Sequence, residues 1–191
     1  MADLYANISI GHENDWNVLE KRIIAAAQCH SDAIVISKAT PEFTIPKNKK
    51  YVSIKSKWGN LPYLEVANKS EIDELNAKKI KNLTEDIGIP VIWSITDTEA
   101  GSWVLENTDC KNIKIHFESR NNWDLWQFCE ERFENITVPF GSILETMKPK
   151  LWKTRENLSV YHAAYKMPSP IEALGLEKLE VLKDYSNRVG Y

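Results

Sequence analysis

Short apolar runs of four to six residues alternate along this chain with stretches that carry apolar residues at helical spacing. The runs are 8–11, 33–37, 90–95, 113–117, 136–140, 158–163 and 188–191. Several are apolar at nearly every position, as in parallel strands buried on both faces. Between them, Trp16, Leu19, Ile23, Ile24 and Ala27 form one apolar stripe. Ser70 and Asp73 read as a capping box ahead of Ile72, Leu75, Ile80 and Leu83, with Gly88 as the C-cap and Pro90 opening the next strand. Asp97 or Thr98 caps a helix carrying Trp103 and Leu105, Asn122 caps one carrying Trp123, Trp126 and Phe133, and Leu176 to Tyr185 mark the last.

Strand, helix, strand in repetition predicts a parallel sheet with right-handed crossovers. A closed (β/α)8 barrel needs at least ~200 residues. At 191 residues, with seven strand candidates and about six helices, the chain reads as one α/β domain over 1–191, a TIM-barrel-like parallel sheet short of closure. The segment 41–61 has no clear period and is expected to be a long irregular loop after the second strand. Its Lys47, Lys49, Lys50, Lys55 and Lys57 are either a solvated surface or an anion-attracting cluster.

Composition narrows the function classes. A net charge of −3 gives no electrostatic case for nucleic acid or an anionic membrane. No apolar run approaches a membrane span, and no signal peptide is visible. Cys29, Cys110 and Cys129 are odd in number and far apart, as reduced thiols in a cytoplasmic protein would be.

In parallel α/β folds, ligands bind beyond the carboxyl ends of the strands. His12 and Glu13 end the first run, Ser37 and Lys38 the second, Ser94, Thr96 and Asp97 the third. Lys114, His116 and Glu118 belong to the fourth, Gly141 follows the fifth, and Tyr161, His162 and Tyr165 the sixth. His12, His116, His162, Glu13 and Glu118 are either structural or convergent metal ligands. An ammonium inside an apolar strand, as at Lys114, needs an anion: a salt bridge or a bound carboxylate or phosphate. Glu13 is either a helix-dipole partner or a pocket acid. Trp93 and Trp123 are either core or the wall of a sugar pocket.

The order of segments resembles the N-acetylneuraminate (sialic acid) synthase family. IGHEND is similar to its strand-one Ile-Asn-His-Glu/Asn-Gly motif, and SDAIVIS to Ala-Asp-Ala-Val-Lys-Phe-Gln. NIKIHFESRNNWDLW is similar to Tyr-Lys-Ile-Gly-Ser-Gly-Glu with an Asn-Asn turn, and HAAYKMPSPIEALGL to His-x5-Pro-x-Pro with an apolar helix. NRVGY resembles the start of strand seven.

The resemblance implies a (β/α)8-type enzyme that condenses phosphoenolpyruvate with an N-acylated amino sugar, using divalent manganese or magnesium. It implies that Glu13 is an active-site acid, that Lys114 binds phosphoenolpyruvate and that His162 is a metal ligand. It further implies that Ser94, Asn121, Asn122, Gly141 and Tyr165 contact substrate. The chain departs from the family pattern where donors are expected. Val35 and Ser37 stand at the strand-two lysine and glutamine, and Ile95 at a threonine. His116–Ser119 replace Gly-Ser-Gly-Glu, and Pro139 and Phe140 replace Ser-Thr. The sequence ends at Tyr191, before the family's Ser-Asp-His with its second metal-ligand histidine. Strand eight and the C-terminal antifreeze-like domain are therefore expected to be absent. Three outcomes are open: a synthase, a non-catalytic sugar- or partner-binding relative, or a different metal-dependent barrel using His12, His116 and Glu118. Open sheet edges lead to an expected homo-oligomer or a completing partner chain.

Overall fold

The computed structural model describes residues 3–8, 10–140, 156–163, 170–171 and 174–191. The chain forms two compact units, Met1–Cys110 and Lys111–Tyr191. Gly141 and Tyr165 lie outside the described residues.

In the first unit, β1 (Tyr5–Ile8), β2 (Ala33–Lys38) and a later strand, β5 (Val91–Ile95), pair in parallel in that order. Between β2 and β5 lie α2 (Pro41–Thr44), the antiparallel pair β3 (Ser53–Ser56) and β4 (Gly59–Pro62), and α3 (Tyr63–Ser70). The expected irregular loop is thus a helical turn and a hairpin. Its hairpin turn needs Gly59, whose φ is +99°.

Helix α1 (Trp16–Gln28) starts at Asp15, whose carboxylate accepts the Asn17 amide at 2.9 Å. It buries Leu19, Ile23 and Ala26, while Ile24, placed in the expected stripe, is exposed. Helix α4 (Glu74–Ile87) corrects the capping-box reading. The N-cap is Asp73 itself, accepting the Asn76 amide at 2.8 Å, and Ile72 is buried one step before it. Gly88 closes α4 in the left-handed conformation, φ +72°. Asp97 caps α5 (Thr98–Asn107) as expected.

Register places Ile36 beside Trp93 and Lys38 beside Ile95 on one face of the sheet. This face is turned to α5, because Trp103 meets Trp93 edge-on with ring centres 5.8 Å apart. Val35, Ser37, Ile92 and Ser94 occupy the opposite face. Leu19, Ile23, Ile34, Ile36, Ile80, Ile95 and Val104 are almost wholly shielded from water. Each contributes ~1.5–3 kcal/mol of burial.

In the second unit, β6 (Asn112–Ile115), β7 (Asn135–Pro139), β8 (Leu158–Tyr161) and β9 (Arg188–Gly190) pair in parallel in that order. Helix α6 (Trp123–Arg132) connects β6 to β7, and α7 (Lys178–Leu182) precedes β9. These strands are fully buried on one face only, the other being covered at Pro139 and Tyr161 near its carboxyl end. Ile113, Ile115, Ile136, Val138, Leu158 and Val160 are buried, whereas Asn112, Lys114, Asn135, Thr137 and Ser159 on the alternate face are half-exposed. All seven expected strands therefore exist, with shifted limits. The largest shift is in the first, which ends at Ile8 and passes into a 3-10 turn at Ile10–His12. Among the described residues, no helix is long and apolar enough to cross a membrane.

Candidate functional site

The turn after β1 carries the first expected acid. Glu13 and Asn14 both have positive φ, +47° and +55°. Two consecutive non-glycine residues in this region store strain of order 1–3 kcal/mol each unless neighbours hold them. Asn14 is held: its Nδ2 donates to Asp73 at 2.8 Å, and Asn76 donates to its Oδ1 at 2.7 Å. The helix-start of α4 thus fixes the turn that presents Glu13.

Glu13 is half-exposed and pairs with Lys57 at 3.4 Å, while Lys57 Nζ also donates to the Glu13 carbonyl at 2.9 Å. Lys57 comes from the hairpin, so the lysine-rich segment does reach the acid. Behind it, His12 is buried. Its Nδ1 accepts the Asn14 amide at 3.0 Å, so Nε2 bears the proton, and that donor has no partner among the described residues. Burial first, then the charges of Arg22 and Lys57, pull the His12 pKa down to about 4.

At the end of β2, Lys38 is buried on the helix-facing side. Its Nζ donates to the Ile72 carbonyl at 2.9 Å, pairs with Glu71 at 3.4 Å and lies 4.2 Å above the Trp103 ring. It cannot stand in for a lysine at position 35, because the two residues point to opposite faces. Burial holds the Glu71 carboxyl above the usual carboxylate range despite the adjacent Lys38. A cavity of about 520 Å³ opens here, lined by Lys38, Glu71, Ile72, Asp73, Leu75 and Trp103. Of the strand-end groups named from the sequence, Lys38 lines it, whereas Glu13, Ser94, Lys114 and His162 are not among its described lining residues.

Ser94 is buried beside Ser37 in register, on the face opposite Trp93. Asp97 is the organiser of this end. It accepts from the Thr40 amide at 2.9 Å, from the Thr40 hydroxyl at 2.7 Å and from the Ala100 amide at 2.8 Å. Trp93 is core rather than the wall of a sugar pocket. Trp123 is exposed and stacked on Trp126 at 5.8 Å.

In the second unit, Lys114 is half-buried, and the salt bridge, one of the two expectations for it, is not formed among the described residues. Among the described residues no carboxylate pairs with it; instead Nζ lies 4.3 Å from the centre of the Tyr161 ring. Burial alone holds its pKa below the usual lysine value. The Tyr161 hydroxyl is fixed by donating to the Ile115 carbonyl at 3.2 Å.

His162, next along the chain, is buried, and its Nε2 donates to the Leu174 carbonyl at 3.0 Å. A hydrogen bond of this kind sets the tautomer and leaves Nδ1 with the lone pair that a ligand atom needs. Gly175 makes this contact possible: a Cβ there would stand 3.1 Å from Nε2, and its φ is +62°.

Asn122 is the N-cap of α6, accepting the Leu125 amide at 3.1 Å, and Asn121 beside it is exposed. His116 is held low by burial and by Lys114, against Glu118. Phe140 packs edge-on against Tyr185 at 5.4 Å. Among the described residues, no three His, Cys, Asp or Glu side chains cluster so as to hold a metal ion. His12 belongs to the first unit, and His116, Glu118 and His162 to the second. The described residues do not complete a metal centre.

A sequence model of the NeuB family matches residues 22–191. The chain belongs to the NeuB family. Among solved structures it is similar to the N-acetylneuraminic acid (sialic acid) synthetase of Leptospira borgpetersenii serovar Hardjo-bovis, crystallised with citrate. The TM-score is 0.80 at 16% identity, over 98% of this chain and 63% of that one. It is also similar to spore coat polysaccharide biosynthesis protein E of Chromobacterium violaceum, with TM-score 0.78 and 15% identity over 100% of this chain and 58% of that one. A third is the spore coat polysaccharide biosynthesis protein SpsE of Bacillus subtilis, with TM-score 0.67 and 14% identity over 94% and 49%. At these identities the likeness is one of fold, an incomplete TIM-barrel-like α/β arrangement. This NeuB chain spans 49% to 63% of the length of these structures. No curated protein matches it.

The structure thus sorts the expected site residues. Glu13 and Ser94 are in the first unit, and Lys114, Asn121, Asn122 and His162 in the second. Tyr161, read from sequence only as a polar group at a strand end, lies two residues beyond the register position of Lys114 and reaches back to its ammonium, a contact that strand register alone sets up.

Proposed function

We propose that this NeuB-family chain serves sialic acid synthase-type chemistry, condensing phosphoenolpyruvate with an N-acylated amino sugar in nonulosonic acid biosynthesis, with a reduced set of anion donors. The observation that carries the reading is Lys114, a half-buried ammonium with no carboxylate partner among the described residues, at the position that matches the family's phosphoenolpyruvate-binding lysine. An anionic substrate would supply the charge it lacks.

In this reading Lys114 binds and orients phosphoenolpyruvate, and Glu13 transfers a proton or positions the sugar. Ser94, Asn121, Asn122, Gly141 and Tyr165 contact substrate, and His162 offers a ligand atom to manganese or magnesium. The chain works in the cytoplasm as a homo-oligomer or with a completing chain, which the solution mass tests.

The test is phosphate release from phosphoenolpyruvate in the presence of an N-acylated amino sugar and manganese. Release that requires both substrates and falls at least a hundredfold in E13Q and in K114M supports the reading. No release above background from folded protein overturns it. A second reading, a non-catalytic sugar binder, is favoured by Pro139 and Phe140, which place apolar groups at the end of β7 where hydroxyls are expected. Saturable sugar binding without phosphate release selects it.

A further inference from the structure

The four strands of the second unit put four polar side chains in one straight row. Lys114 is in register with Thr137, Thr137 with Ser159, and Ser159 with Arg188. Parallel register puts all four on the same face, opposite the buried Ile113, Ile136, Leu158 and Val160.

Neighbouring strands lie ~4.8 Å apart, so the Thr137 and Ser159 hydroxyls are close enough to hold two oxygens of one tetrahedral group. Lys114 flanks them on one side and Arg188 on the other. Among the described residues, neither cation has an ion-pair partner and neither hydroxyl has a side-chain partner. The sequences of β6 to β9, NIKI, NITVP, LSVY and RVG, contain no Asp or Glu.

The row is bounded on both sides. Towards the amino ends of the strands, Asn135 donates to Asn112 at 2.9 Å and closes the sheet face. Towards the carboxyl ends, the Tyr161 ring lies against the Lys114 ammonium.

Two cations and two hydroxyls in one row, on strands that carry no acid, are the donor set of a phosphate group. We propose that Lys114, Thr137, Ser159 and Arg188 form a phosphate-binding row. Thr137, Ser159 and Arg188 would supply donors at positions deeper in the sheet than the departures at 116–119 and 139–140. The inference rests on the proposed reaction only for the identity of the molecule that brings the phosphate; a free phosphate uses the same donors.

The test is calorimetric titration of the full chain with inorganic phosphate, with phosphoenolpyruvate and with acetate at constant ionic strength. Phosphate binding should weaken about tenfold or more in K114M, in R188Q and in the double variant T137V/S159A, as loss of charge-assisted or paired hydrogen bonds implies. Lys111 lies outside the row on an exposed pair with Glu134, so K111Q should bind as the parent does. Acetate should bind at least tenfold more weakly than phosphate.

Circular dichroism confirms the fold of each variant, and R188Q, at an exposed position, keeps the test open if K114M does not fold. Phosphate affinity unchanged in R188Q and T137V/S159A overturns the row, as does a folded parent that binds no phosphate. Phosphate bound through the row by a chain that fails to condense phosphoenolpyruvate with a sugar upholds the row while overturning the proposed reaction.

Discussion

The Lys114 ammonium lies 4.3 Å from the centre of the Tyr161 ring, and that ring is anchored through its hydroxyl to the carbonyl of Ile115, the residue after Lys114. One tyrosine from β8 thus ties down both the charge and the backbone of β6. Such a cation–ring contact contributes ~0.5–2 kcal/mol.

Folded Lys114 titrates below its unfolded value of 10.5 because burial disfavours the charge. The unfolded chain then binds more protons between the two values, so stability rises with pH through that window. We expect K114M to be more stable than the parent at pH 7 and the gain to shrink towards pH 10.5. Urea denaturation at pH 7 and pH 10 measures it; a gain that grows with pH contradicts the burial argument.

His12 gives a second pH dependence, at the acid end. Its pKa falls from 6.5 to about 4 on folding, so stability is full above pH 6.5 and is lost as pH drops through 4. The loss attributable to this one imidazole is on the order of 3 kcal/mol. In H12N, whose side-chain oxygen can still accept the Asn14 amide, the slope between pH 6.5 and 4 should flatten. Thermal melts across that range compare the two chains.

Gly175 is required twice, by its φ of +62° and by the 3.1 Å approach of His162. Gly175→Ala should destabilise the chain by about 1–2 kcal/mol and shift the His162 ring resonances in an NMR spectrum. Alanine at Gly190, where the nearest atom would be 3.7 Å away, is the control.

The Lys38–Glu71 pair has side-chain exposures of only 11% and 17%. Removing one partner leaves a buried charge: E71L should cost ~3–5 kcal/mol, whereas K38M/E71L should recover most of the loss. A double-mutant cycle by denaturant unfolding tests this. Additive losses would mean that Trp103 and the Ile72 carbonyl hold Lys38 without Glu71.

Local chemistry made much of this chain readable. The seven apolar runs, the caps at Asp97 and Asn122, and the left-handed Gly88 each depend on a few neighbouring residues, and the structure has all of them. The capping box at Ser70 failed because Ser70 ends α3 and donates to the Val66 carbonyl at 2.8 Å, leaving Asp73 to cap α4 alone. The hairpin in 41–61 has a weak two-residue alternation that a run of lysines obscured.

By itself the sequence determined that strands and helices alternate, where most of them begin, and that Lys114 sits inside a strand. Only the tertiary structure decided what each polar strand residue faces, because a step of one residue reverses the side of the sheet. It turned Lys38 towards Trp103, gave Lys114 an aromatic ring in place of a carboxylate, and aligned Thr137, Ser159 and Arg188 with it. Those relations join residues up to 74 positions apart through strand register, which no local pattern encodes.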